Sequence, residues 1–359
     1  MLKQFATLTL LFLVISQGFS QENESIKVTP TGSIDLFYGY DFNRPTETRR
    51  LPYLYNHNLH NQFGLNLGTL GVQLAHKKFT SRIIFQTGSY VIQNYADEPS
   101  MLRFIHEANV KCALGKNNRF GIEFGILPSH IGLESAVSFD NPTLTRSLVA
   151  ENSPYYMNGL KVNYKLKDSL TMSLLALNGW QRIAKIEGNN LLSIGTQVNW
   201  QASKNFTLNW SSFIGTVYPD TSRKMRYYNN LFGIWSWSKK SSLYFGFDLG
   251  LEQKTKNSNT YSIWNSPFLI VDYLISDHLK IAARGEFFND TDGIQIKPEG
   301  FNGANIWGTS LNLDYHFNDY LKFRIEGKMY FSDQDIFPKS NGINSNINTF
   351  ICGSLALKF

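Results

Sequence analysis

Charge is scarce in this chain: 17% of its 359 residues are Asp, Glu, Lys or Arg, below the roughly 25% usual in soluble domains. There are two cysteines, Cys112 and Cys352, far apart and away from any second Cys or His cluster, so they read as small apolar residues. After residue 20 no apolar run approaches the roughly 18 residues that a membrane-crossing helix needs, which excludes a helical membrane protein. The 34 basic residues exceed the 28 acidic ones without forming a Lys/Arg block, which argues against a nucleic-acid arm. There is no phosphate loop, dinucleotide fingerprint or Cys-x-x-Cys, so no metal, nucleotide or other cofactor is expected.

What is present is an apolar start and a chain-wide alternation. Residues 1–20 read as an export signal: Lys3 precedes an apolar stretch from Leu8 to Ile15, and Gly18 and Ser20 supply small residues before a cut. Residues 21–30 are expected as a short periplasmic lead, and 31–359 as one all-β barrel whose first strand covers Ile34 to Tyr40. From Leu321 to Phe331 one parity carries Leu321, Phe323, Ile325, Gly327, Met329 and Phe331, and the other carries Lys322, Arg324, Glu326, Lys328 and Tyr330. Side chains two apart share a face of a strand, so this strand has an apolar side and a charged side. The same pattern recurs around Leu160, Leu243, Leu279 and Phe120.

Seven short polar turns alternate with eight longer loops, which predicts sixteen antiparallel strands with a short-turn rim and a long-loop rim. A β-sandwich would share the alternation. Three features favour a transmembrane antiparallel β-barrel. Most strands run to about ten residues, and the chain ends in a strand whose apolar parity closes on Phe359. Aromatics gather at strand ends, with Trp200 and Trp237 near the turns and Trp180, Trp264 and Trp307 near the loops, where interfacial girdles belong. A terminal Phe on the outward face resembles the end read by outer-membrane assembly machinery. Lipid satisfies no backbone polar groups, so only a closed sheet survives there, and sixteen strands leave a lumen too wide for side chains to fill unless a loop occupies it.

The polar parity supplies the candidate lumen lining, including Arg82, Lys161, Arg284, Lys322, Arg324, Glu326 and Lys328. Counted over all strands, ten cations (with Lys111, Arg119, Lys165 and Lys280) face eight carboxylates (with Asp35, Glu107, Glu123, Asp248, Glu252, Glu286 and Asp314), so a weak preference for anions is expected. For any one of these charges, pairing across strands to keep the wall wet is the stronger reading than contact with a particular solute. The longest loop, 128–152, is the candidate constriction. Asn141 and Pro142 form a helix-start pattern ahead of Leu144 and Leu148, and the loop would offer Glu134, Asp140, Arg146 and Glu151 to passing solutes. A helix lying over the rim is the alternative.

Enzymatic readings have less support. His106 falls on the apolar parity near the loop end, where a barrel lipase would keep its histidine, but no G-x-S-x-G elbow accompanies it. The run Asn289 to Gly293 (NDTDG) lacks the later ligands of a calcium loop and reads as a turn.

The block Ser153-Pro154-Tyr155-Tyr156-Met157-Asn158-Gly159-Leu160, followed by two strands and Leu177-Asn178-Gly179-Trp180-Gln181, resembles the OmpL-like β-barrel porins of Gram-negative outer membranes. That resemblance implies an outer-membrane channel for passive diffusion of small hydrophilic solutes or ions, embedded in outer-membrane lipid, with no catalytic residues. Porins of this size often form trimers, so a homotrimer is within the reading, although no outward patch marks an interface. The alternative of another class is a loop-capped surface adhesin or ligand-binding barrel.

Overall fold

Alternation along the chain becomes alternation across a wall. The computed structural model describes residues 25–115 and 118–359. The strands are β1 (Lys27–Asp41), β2 (Gln62–Ala75), β3 (Phe79–Thr87), β4 (Ile105–Leu114), β5 (Phe120–Pro128), β6 (Tyr156–Lys167), β7 (Leu170–Leu177) and β8 (Ser193–Ser203). They continue as β9 (Phe206–Gly215), β10 (Arg226–Trp235), β11 (Ser241–Gln253), β12 (Tyr261–Leu274), β13 (Leu279–Asp290), β14 (Ala304–His316), β15 (Leu321–Ser332) and β16 (Ile347–Lys358). Each strand pairs antiparallel with its sequence neighbours, and β1 pairs with β16 to close the barrel, Ser33 opposite Lys358 through Asp41 opposite Phe350. Sixteen strands is the number expected from the turn and loop spacing, and closure leaves no edge strand.

The expected export signal at 1–20 lies outside the described residues. β1 begins at Lys27, inside the stretch read as a lead. At the other end Phe359 exchanges two backbone hydrogen bonds with Gly32, both 3.0 Å, and its ring stands half-exposed on the outer face.

Exposure follows the expected parity with its usual meaning reversed. On β15, Phe323 and Met329 are more than 40% exposed, whereas Arg324 and Glu326 are 0% exposed. The apolar side faces outward, and the charged side is covered by protein inside the barrel. Two loops fold inward to do this: residues 42–61, and residues 129–155, which carry a short helix α2 (Leu148–Glu151). A third, 88–104, contains α1 (Ser89–Asn94), whose Tyr90 and Val91 are buried.

The barrel therefore has a core within its lumen. Leu51, Tyr53 and Leu54 from the 42–61 loop, and Ile131, Leu148 and Val149 from the 129–155 loop, pack with inward-facing Phe213, Tyr228, Trp264, Phe268, Ile270 and Phe288 of the wall. Glycines opposite the large rings make the room. A Cβ at Gly250 would lie 2.0 Å from the Trp264 ring and one at Gly246 would lie 2.2 Å from Phe268, far inside contact distance.

This corrects two members of the expected aromatic girdle. Trp180 and Trp264 are buried inside, with Trp180 edge-on to Phe213 and Tyr228 at 5.1 and 4.8 Å. Trp200, Trp237 and Trp307 do face outward, 43%, 46% and 54% exposed, and Trp307 stacks beside Phe287 with ring centres 4.3 Å apart.

Candidate functional site

The lumen is defined by how the 129–155 loop crosses it. It leaves β5 and meets β8 and β9 first: His130 Nε2 donates to the Ser212 carbonyl at 2.9 Å, and the His130 carbonyl accepts from Gln197 Nε2 and Ser211 Oγ. A Cβ at Gly195 would lie 2.7 Å from that imidazole, so glycine lets the ring approach the wall. Burial pulls the His130 imidazole down to about 4, which keeps it neutral. The Gly132 N–H then donates to Asn230 Oδ1 on β10 at 3.1 Å.

Beyond Ser138 the loop lies against β13 to β16, and strand side chains bond its backbone. Leu144 N–H donates to Asn312 at 3.0 Å, Thr145 N–H to Glu326 at 2.6 Å, and Leu148 N–H to Glu286. In the other direction Lys322 donates to the Phe139 carbonyl at 2.8 Å, Arg284 to the Thr145 carbonyl at 2.9 Å, and Lys328 to the Arg146 carbonyl at 2.7 Å. Arg324 bonds the carbonyls of Ser138 and Asn141 while its Nε and Nη2 hold Asp314. An extended segment taken out of water needs each backbone polar group paired, and this charged wall supplies the partners.

That pairing explains why no helix starts at Asn141. The N–H groups of Leu144 and Thr145 go to the wall rather than to carbonyls four residues back. Asn141 instead bonds Ser135 in both directions at 2.8 Å. The α-helical turn comes later, at α2, capped by Ser147 Oγ accepting from Ala150 N–H.

The four residues expected at the constriction take different parts. Arg146, 1% exposed, does not face solutes; its guanidinium is spent on the carbonyls of Ser135, Leu144 and Ala136. Glu134 accepts from Ser147 N–H and Oγ. Glu151 accepts from the N–H groups of Tyr55 and Asn56 at 2.9 and 3.3 Å, clasping the 42–61 loop to the 129–155 loop. Burial raises its carboxyl above the ordinary range. Asp140 is the exposed member, paired with Lys358 at 2.6 Å.

Among the expected lining residues, Arg284, Lys322, Arg324, Glu326 and Lys328 are likewise committed to the loop and to each other, and Arg284 meets Glu326 at 2.9 Å. Arg82 and Lys161 lie on the opposite side, where the lumen stays open. Arg82, its side chain 38% exposed, meets Glu107 at 3.2 Å, and Lys161 donates to Gln197 at 2.9 Å. Cross-strand register continues this face as Lys111, Glu123 and Lys161 side by side on β4, β5 and β6. Near the short-turn rim a cavity of about 280 Å³ is lined by Lys78, Lys111, Arg119 and Lys165. A second cavity, about 320 Å³, separates β1–β5 from the loop.

The remaining motifs have structural partners. His106 Nδ1 lies 3.0 Å from Gln86 Oε1. Asp290 of the NDTDG run accepts from the N–H groups of Ile294, Gln295 and Ile296, which builds the turn.

Solved structures with this architecture include an anion-selective porin from Comamonas acidovorans, 10% identical, matching 93% of this chain and 100% of that one with a TM-score of 0.62. The outer membrane channel DcaP of Acinetobacter baumannii is 10% identical over 95% of this chain and 99% of its own, TM-score 0.60. OmpT of Vibrio cholerae is 10% identical over 94% and 99%, TM-score 0.59. At such identity the likeness is one of fold. No curated protein matches the sequence. The family model described as "Putative beta-barrel porin-2, OmpL-like" matches residues 27–359. With that span and a closed sixteen-stranded barrel, the chain belongs to this OmpL-like porin family, as a passive-diffusion channel of the Gram-negative outer membrane.

Proposed function

We propose that the channel passes small hydrophilic solutes through the open side of its lumen and prefers anions to cations. The observation that carries this is the division of charge by the loop. On the latched side Arg284, Lys322, Arg324 and Lys328 are matched by Glu286, Asp314 and Glu326 and by loop carbonyls. On the open side the five cations Arg82, Lys111, Arg119, Lys161 and Lys165 outnumber the three carboxylates Glu107, Glu123 and Asp168, the last paired with Lys165 at 3.0 Å. Unmatched wall cations in a narrow, low-dielectric channel raise the local concentration of anions. The solute gradient supplies the driving force; the loop sets the width and the wall sets the sign.

The readout is the reversal potential of the purified, folded barrel in a planar bilayer under a KCl gradient. A shift towards the chloride potential supports the reading, and a shift towards potassium overturns the assignment of sign. A folded barrel that never conducts would favour the second reading, a loop-capped binding barrel, for which the apolar cluster inside the lumen is the supporting observation.

Homotrimers fit the same reading, since OmpT of Vibrio cholerae is described in a trimer form; cross-linking in native membranes tests this. Non-enzymatic action is part of the proposal, and detergent-dispersed phospholipid is expected to release no fatty acid.

A further inference from the structure

The lumen cavity between β1–β5 and the 129–155 loop offers both charged and apolar surface. On the barrel side β1 to β4 supply Thr31, Ser33, Thr69, Arg82 and Glu107. On the loop side the apolar Ile131, Leu133, Ala136 and Val137 alternate with Ser129, Glu134, Ser135 and Asp140. The space is about 320 Å³, within the range of small-molecule sites.

Its charges come in two balanced pairs, one with a buried carboxylate, Glu107, and one open on both sides. Arg82 and Glu107 meet at 3.2 Å through one guanidinium nitrogen, and Arg82 Nε is buried with no hydrogen-bond partner. Lys358 and Asp140 meet at 2.6 Å, with both side chains about 40% exposed. Glu134, the remaining carboxylate on this lining, is already held by Ser147 and lies 3.5 Å from Arg284.

An inorganic anion would use the cations and leave the apolar wall dry and unfilled. A sugar would set some of its hydroxyls against the apolar Leu133 and Val137 and lose the hydrogen bonds those hydroxyls make in water. A solute with one positive group, one negative group and an apolar body matches all three features. Its carboxylate would meet the exposed part of the Arg82 guanidinium, whose side chain is 38% open to the cavity. Its ammonium would lie towards Glu107, and its body against Leu133 and its neighbours. We propose that this slot is a binding site for zwitterionic solutes with an apolar side chain, the class of the aliphatic amino acids. The proposal rests on the channel reading above. The net charge of the open wall acts at long range, whereas the slot acts by contact.

The test is liposome swelling with the full chain, comparing leucine with 4-methylpentanoate, which lacks the ammonium, with isoamylamine, which lacks the carboxylate, and with glucose. Leucine is expected to swell liposomes faster than all three. Addition of leucine should also reduce single-channel KCl current in planar bilayers, with a half-blocking concentration that rises about tenfold in Arg82→Gln, the loss of one charge-assisted hydrogen bond. Leu133→Asn, on the opposite wall, should also raise the half-blocking concentration of leucine. Heat-modifiable migration on gels verifies that each variant is folded.

Equal swelling by leucine and 4-methylpentanoate would remove Glu107 from the site and overturn the zwitterion assignment. Glucose swelling as fast as leucine would overturn the site altogether. If a folded wild-type barrel neither conducts KCl nor swells liposomes with any solute, the channel reading itself falls and takes the site with it. Conductance without leucine preference refutes the site alone.

Discussion

Two sides of one lumen, built by the same alternating strands, end in opposite states. Along β13 to β16 the inward charges are buried beneath the 129–155 loop, with Arg284, Arg324 and Glu326 at no more than 2% exposure. Along β3 to β6 the inward charges Arg82, Lys111, Glu123 and Lys161 remain open to the lumen. Parity alone decides neither state. What differs is whether a backbone segment arrives to use the charges. On the first side the loop brings unpaired N–H and C=O groups, and the wall satisfies them; on the second, solvent and solute do.

The largest effect is expected from breaking the latch. Glu326→Ala leaves Arg284 without its closest carboxylate partner and frees the Thr145 N–H and Oγ1. Stranding a buried charge costs about 3 to 5 kcal/mol, and Glu134 and Glu286, each 3.5 Å from Arg284, reduce the cost here. The variant should show a lower denaturation midpoint, larger and noisier conductance, and protease cleavage within 129–155; an unchanged conductance would mean that the loop does not set the width. Arg324→Ala belongs to this class too. Its guanidinium holds the carbonyls of Ser138 and Asn141, so the substitution should loosen the loop rather than act on selectivity alone.

One position away, Gly327 faces the opposite medium, and a Cβ there would meet nothing within 4 Å. Gly327→Arg places a charge in lipid and should cost about 2 to 4 kcal/mol near mid-membrane, read as reduced folding yield into vesicles. Gly250→Val instead crowds the Trp264 ring and should cost about 1 to 3 kcal/mol as overpacking, measured by the unfolding midpoint in denaturant. If Gly250→Val were neutral, the lumenal core would be softer than its close contacts indicate.

On the open side, Lys111→Glu should leave stability nearly unchanged and move the reversal potential towards cations, because Lys111 has no role in the latch. The smallest expected effect concerns pH. Burial raises the Glu151 carboxyl in the folded protein, so the folded state binds its proton more tightly than the unfolded chain. Stability then rises as pH falls through the raised value and the gain is complete below the ordinary carboxylate value. Relative to wild type, Glu151→Gln should lack this contribution between about pH 8 and pH 5, seen as a flatter dependence of melting temperature on pH. A parallel pair of curves would show that Glu151 does not titrate in that window.

Much of the barrel could be read from residue order. The short turns and long loops lie within a few residues of the expected breaks, and the β15 and β16 parities are those observed. The loop's path was not legible in this way. Asn141-Pro142 carries a local helix signal, but the competing partners for its backbone, Asn312, Glu286 and Glu326, lie more than 130 residues away. A signal for the inner core did exist. On β12 alternation fails where Phe268, Leu269, Ile270 and Val271 are all apolar, and β11 sets glycines at Gly246 and Gly250 opposite Phe268 and Trp264. An apolar residue on both faces of a strand requires a second apolar partner, here the loops inside.

The sequence by itself determined strand number, facing and the closed all-β form. These follow from a period of two and from the requirement that lipid leaves no backbone group unpaired. Tertiary structure alone decided which charges are free, because that depends on where a 27-residue loop finds hydrogen-bond partners across the barrel. Arg324 and Lys161 look alike in a strand pattern. One is bound to a folded-in backbone, and the other is left to the channel.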